Sequence, residues 1–104
     1  MSSVIDRRSI EAIVTRAYFE LVFVSWAKNG SRAVLLAKHG NQEIRLLELR
    51  SIDAARMPSL WVELYATDAK MSVDACRCDD LEVATLAAEH LISQAAGLND
   101  NDAS

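Results

Sequence analysis

Two short segments of this chain alternate between apolar and polar residues, and only a four-residue link separates them. Leu60-Trp61-Val62-Glu63-Leu64-Tyr65-Ala66 and Met71-Ser72-Val73-Asp74-Ala75-Cys76 flank Thr67-Asp68-Ala69-Lys70. Alternation with period two belongs to a half-buried strand, and the short polar link makes the pair an antiparallel hairpin. With Asp68-Ala69 at the turn, Ala66 faces Met71, Leu64 faces Val73 and Val62 faces Ala75. All the aliphatic side chains then share one face, as register requires where one face is buried. Trp61, Glu63, Tyr65, Ser72, Asp74 and Cys76 share the other.

The aliphatic face needs a cover, and the C-terminal third supplies one. Asp79 and Glu82 form a D-x-x-E capping pattern. Leu81, Ala84, Ala88, Leu91, Ile92 and Ala95 follow at helical spacing. Gly97 is the predicted helix stop, and residues 99–104 read as a flexible acidic tail.

Upstream, Arg32-Ala33-Val34-Leu35-Leu36-Ala37-Lys38 and Glu43-Ile44-Arg45-Leu46-Leu47-Glu48-Leu49 flank His39-Gly40-Asn41-Gln42. A two-residue turn at Gly40-Asn41 puts Lys38 opposite Glu43 and Leu35 opposite Leu46, both favourable pairs. A short helix ending at Gly40 is the competing reading of the first segment. Near the start, residues 1–8 read as frayed. Ser9 is a candidate cap, and Ile10, Ile13, Val14 and Ala17 predict a helix over about 8–17.

Residues 18–26 are rich in aromatic and β-branched side chains, which favour a strand. Asn29-Gly30 then reads as a hairpin turn. The alternative is one helix over 9–28 that stops at the same pair. Arg50 to Pro58 is a connection, with Pro58 at the entrance to a strand. The expected fold is α+β: a short N-terminal helix, an antiparallel meander of four to five strands, and a C-terminal helix on one sheet face. At 104 residues, with three Gly and one Pro, the chain fits one domain over 1–98. The helix–strands–helix order is similar to that of a double-stranded-RNA-binding domain.

Charge argues against the function that this order implies. Residues 1–73 carry 10 basic and 8 acidic groups, and residues 74–104 carry 1 basic and 7 acidic. The final helix is therefore acidic, no basic loop precedes it, and no clustered basic face exists for a phosphate backbone. The longest apolar stretch, Leu21 to Ala27, is far shorter than the roughly 20 residues of a membrane span. The first eight residues hold charges where a signal peptide has its apolar region. The expectation is a cytoplasmic protein that binds neither nucleic acid nor membrane.

Catalytic motifs are missing. There is no G-x-S-x-G, no Walker loop, no G-x-G-x-x-G and no H-E-x-x-H. Four sets of residues remain as candidates. Cys76 and Cys78, two apart on a strand, point the same way and could share a zinc ion with Asp79, Asp80, His39 or His90. Arg77 and the start of the following helix would lower the pKa of a nearby thiol. The alternative is a pair of small residues at a strand end. Trp61, Glu63, Tyr65 and Asp74 form a second candidate, with Glu63 opposite Asp74 as a seat for a cationic group. Its alternative is a solvated face neutralised by Arg45 or Arg50. His39, in a turn, and His90, on the helix, have no motif partner for general-base work.

The fourth set is apolar surplus. Phe19, Phe23, Trp26, Trp61 and Tyr65 are many large side chains for a small core, and both faces of residues 19–26 are apolar. Such a segment is either covered twice or lies at a subunit contact. The leading expectation is a non-enzymatic protein-interaction or regulatory module that self-associates, with no cofactor. A metal-binding or thiol-dependent protein using Cys76 and Cys78 is the first alternative. A small-molecule binder with a pocket between the sheet and the C-terminal helix is the second.

Overall fold

The computed structural model describes residues 7–50 and 59–100. In chain order the elements are α1 (Arg7–Leu21), β1 (Ser31–His39), β2 (Gln42–Leu49), β3 (Ser59–Ala66), β4 (Met71–Cys78) and α2 (Leu81–Asp100). The four strands form one antiparallel sheet in the order β1-β2-β3-β4. Both helices pack on one face of it and against each other. The fold is α+β as expected, with four strands. The expected connection over 51–58 and the tail residues 101–104 lie outside the described residues.

The core sits between the sheet and the helix layer. Ile44 and Leu46 of β2 and Val62 and Leu64 of β3 are buried beneath Ile10, Val14, Ala17 and Leu21 of α1 and Ala84, Ala88, Leu91 and Ala95 of α2. The small alanines of α2 let that helix lie close to the sheet. Residues 18–21 are helix, not the expected strand. Leu21 continues the stripe of Ile10, Val14 and Ala17 by one more turn, and its burial outweighs the strand preference of its aromatic neighbours. The backbone then closes with two overlapping four-residue turns, Phe23 N–H to the Glu20 carbonyl and Val24 N–H to the Leu21 carbonyl, at 3.0 Å each. Asn29-Gly30 is therefore not a hairpin. It is the turn that enters β1, with Gly30 at φ 81° and its N–H donating to the Ala27 carbonyl.

Two bulges correct the expected registers. The Gly40-Asn41 turn stands, with Gly40 at φ 62° and Lys38 opposite Glu43. Beyond it, Leu36 bulges, so Leu35 lies opposite Arg45 instead of Leu46. The shift brings Arg32 opposite Glu48, and the two form an ion pair at 2.7 Å. In the β3–β4 hairpin Ala66 faces Met71, but Val73 bulges and moves every later pair by one. Val62 then faces Cys76 rather than Ala75, and Leu64 faces Asp74 rather than Val73. Without the bulge, Arg77 would stand opposite Leu60 on the helix side. The bulge keeps that charge out of the core and puts Cys78 there instead.

Helix α2 also departs from expectation at both ends. Its cap is Asp80, one residue later than the D-x-x-E pattern suggested: the Asp80 carboxylate accepts the Val83 N–H at 2.8 Å. The helix runs through Gly97 to Asp100. Gly97 is exposed, and a side chain there would touch nothing within 4 Å. An exposed helical glycine costs only about 1 kcal/mol, too little to stop a helix anchored by Leu91 and Ala95.

Candidate interaction surface

None of the six aromatic residues lies in the buried core, which among the described residues is built from Ile, Val, Leu, Ala and Cys. The aromatics divide among three places. The most exposed group sits at the end of α1. Tyr18 is 41% exposed, Phe19 64%, Val22 62% and Phe23 87%. Tyr18 and Phe19 meet edge to face, with ring centres 6.0 Å apart. Helical spacing sends Ile10, Val14, Ala17 and Leu21 inward and so turns Phe19 to the opposite side. Since both helices cover the same face of the sheet, no second layer reaches this patch from the described residues. The segment 19–26 is thus not covered twice.

The second group lies on the sheet face that the helices leave open. It differs from the expected seat for a cation. The bulge at Val73 places Ala75, not Asp74, opposite Glu63, and turns Asp74 and Cys76 to the helix side. Arg45 of β2 faces Glu63 from the other neighbouring strand. It approaches Glu63 at 3.9 Å, pairs with Glu43 at 3.0 Å, and stacks its guanidinium 3.8 Å from the centre of the Tyr65 ring. The chain's own arginine therefore fills the space between Glu43, Glu63 and Tyr65. Trp61 lies on the same face, its indole N–H donating to the Ser59 hydroxyl at 3.1 Å.

The third group is Trp26 alone. Arg32 stacks on its ring at 4.1 Å and Arg50 at 4.9 Å. Arg32 also donates to the Val24 carbonyl at 3.3 Å. This cluster ties the α1–β1 connection to the sheet end.

Cys76 and Cys78 do point to one side of β4, as their spacing implied, and both are free thiols. Cys78 is buried, and its Sγ lies 3.3 Å from the Cys76 carbonyl, to which it donates. Burial pushes the Cys78 thiol up to about 11, and Cys76, Asp79 and Asp80 nearby add to that rise. A backbone hydrogen bond from Val62 opposes the rise and outweighs each of those charges, but not the burial. The expected lowering by Arg77 and the helix start is thus reversed at Cys78: desolvation of the thiolate dominates. Asp80 is engaged as the helix cap, Asp79 is exposed, and His90 is exposed on α2. Among the described residues no three His, Cys, Asp or Glu side chains stand together in a way that could hold a metal ion. His39 ends β1 at the turn.

The contact between sheet and α2, the expected place for a pocket, is filled by Val62, Leu64, Ala84, Ala88 and Leu91, all fully buried. At the start of α2 this junction opens: a depression of about 520 Å³ lies between the sheet end and Leu81, lined by Tyr18, Leu60, Arg77, Cys78, Asp79 and Asp80. A groove of about 370 Å³ runs between the helices, lined by Arg7, Glu11 and Thr15 of α1 and Leu81, Thr85 and Leu86 of α2.

Sequence reasoning identified Phe19 and Phe23 as surplus but placed them on a strand. The signal that finds their true position is the four-residue step from Ala17 to Leu21, which completes the helix's inner stripe. No helix among the described residues is long and apolar enough to cross a membrane. Comparison with protein-family models, with curated proteins and with solved structures finds no match to this chain.

Proposed function

We propose that this protein is a non-enzymatic, cytoplasmic interaction module that associates with itself through the end of α1. The observation that carries the reading is the exposure of Tyr18, Phe19, Val22 and Phe23 within six consecutive residues. Aromatic side chains present about 150–250 Å² each, so this patch exposes about 500 Å² of largely apolar surface. That lies in the upper half of the range of about 300–600 Å² for the largest apolar patch of a typical monomer, a patch that is often functional. Two copies meeting there would bury about 1,000 Å² before any rim residues are added, the area at which specific interfaces begin. The other aromatics already have partners within the chain: Tyr65 under Arg45, Trp26 under Arg32 and Arg50.

Native mass spectrometry of the reduced protein tests the reading, because one spectrum reports subunit number, metal and ligand. The expected species is a dimer carrying no metal, converted to monomer by the double substitution Phe19→Ser, Phe23→Ser without loss of folding. A monomer carrying one zinc ion, lost when Cys76 and Cys78 are replaced, would overturn it in favour of metal chemistry.

A further inference from the structure

The outward stripe of α1 and the turn that extends it has the spacing of a helix–helix seam. Ala12, Thr15, Phe19 and Val22 recur at intervals of three, four and three. That is the a–d–a–d rhythm of two heptads, set on the side of the helix away from Ile10, Val14, Ala17 and Leu21, with half-buried Thr15 at the edge of the groove toward α2. The residues flanking such a seam decide how two copies meet. In a parallel, in-register pair, the residue just before an a position approaches the residue five places later on the other helix. Here those flanks are Glu11 and Arg16, and one heptad on, Tyr18 and Phe23. The first combination joins opposite charges, and the second joins two rings. Glu11 and Arg16 enter none of the ion pairs among the described residues.

We propose that the partner at this surface is a second copy of the chain whose α1 lies parallel to and in register with the first. Ala12, Thr15, Phe19 and Val22 form the seam. Glu11 of each copy pairs with Arg16 of the other, and Tyr18 of each packs on Phe23 of the other. This deepens the self-association reading and rests on it, adding orientation and register. An antiparallel pairing about the centre of the same stripe would set Arg16 against Arg16 of the second copy, a like-charge contact. Arg8 occupies the next seam position upstream and ends the contact there, since it would meet its own counterpart. A free two-heptad helix would be too short to form unaided, but α1 is already ordered by the domain core, so docking carries no cost of helix formation. With helix pairing at the centre, each sheet lies on the outside of the dimer, its open face turned to solvent.

Charge reversal tests the register. E11R and R16E both lie on the exposed side of α1 and leave the core untouched, which circular dichroism verifies for each variant. Each alone turns two attractive pairs per dimer into repulsive ones and is expected to weaken the dimer about tenfold or more in sedimentation equilibrium. Mixing the two variants in equal amounts is expected to restore a mixed dimer, because both of its flanking pairs again join opposite charges. The double variant E11R/R16E restores the dimer by itself. If the wild-type protein dimerises but the reversals change nothing, or the mixture stays monomeric, the parallel register is wrong and the self-association reading survives. A wild-type protein that remains monomeric overturns both.

Discussion

Replacing Arg32 with alanine should cost about 3 kcal/mol. The side chain makes three contacts at once: an ion pair to Glu48 at 2.7 Å, a hydrogen bond to the Val24 carbonyl and a stacked contact with Trp26. Arg32 and Glu48 are each only 15% exposed at the side chain. The charge-assisted bond therefore lies near the upper end for such bonds, about 2 kcal/mol. The guanidinium over the indole adds about 0.5–1 kcal/mol. For a domain of this size each kcal/mol moves the melting midpoint by about 4–8 °C, so a drop of about 12–24 °C is expected. The assay is thermal and urea unfolding of Arg32→Ala, Glu48→Ala and the double variant. Each single change leaves the other charge stranded in a half-closed site, so the double variant should cost less than the two costs added, by about 1–2 kcal/mol. Arg32→Lys keeps the charge but loses the planar stack, and should recover less than half of the loss. Additive costs, or an Arg32→Ala cost below about 1 kcal/mol, would refute the view that this cluster anchors the α1–β1 connection.

Other expectations follow from burial and backbone geometry. The Cys78 thiol, raised from 9.0 to about 11 in the folded state, stays neutral there while the unfolded chain ionises. Stability from this group is therefore full below about pH 9 and falls by about 2 kcal/mol as pH rises through 11. In urea melts the gap between the wild type and Cys78→Ala should narrow over that range, and a gap independent of pH contradicts the assignment. Leu91→Asp puts an unpaired charge at a fully buried site and should cost about 4 kcal/mol or more, enough to unfold much of the population. A native circular dichroism spectrum and an unchanged melt for that variant would remove Leu91 from the core face. Gly97→Ala should stabilise α2 by about 0.5–1 kcal/mol, because a methyl group there meets open space. Gly30→Ala should cost about 1 kcal/mol although its methyl would lie an acceptable 3.7 Å from the Arg50 Cβ, since φ 81° is strained for any L side chain. Equal melting shifts of the same sign for the two variants would show that backbone conformation is not what separates them.

The parts of the fold legible in the sequence are those decided by neighbours along the chain. The closing pairs of both hairpins, Lys38–Glu43 and Ala66–Met71, follow from turn chemistry within a few residues. So does the acidic start of α2, to within one residue. The errors occur where a distant contact decides. Val73 bulges because Arg77, four residues on, cannot face Leu60 under the helix layer, and no local pattern announces that. Leu36 bulges to bring Arg32 against Glu48, a contact made from the far side of the hairpin. Residues 18–21 carry strand-forming side chains, yet Leu21 is needed in the core and holds the helix. The candidate cation seat failed for the same reason. Its register depended on the Val73 bulge, and its actual occupant, Arg45, is set by the pairing of β2 with β3 across residues 51–58.

A one-layer sheet covered by two helices on one side must solve two problems: an open sheet face and an outward helix face. The open sheet face is solved internally. Arg45 stacks on Tyr65 and lies between Glu43 and Glu63, so its charges and its ring satisfy one another and water can cover the rest. The outward face of α1 has no such arrangement. Phe23 is nearly as exposed as it would be in an unfolded chain, and Phe19, 64% exposed, meets the edge of the half-covered Tyr18 ring. Ala12 and Thr15 are too small to prevent close approach in the first half of the stripe, which Arg8 bounds with charge. A partner that fits must bring apolar rings at one end and an opposite charge pattern at the other. A second α1, laid parallel, brings both, because Glu11 and Arg16 stand five residues apart on the flanks of the seam.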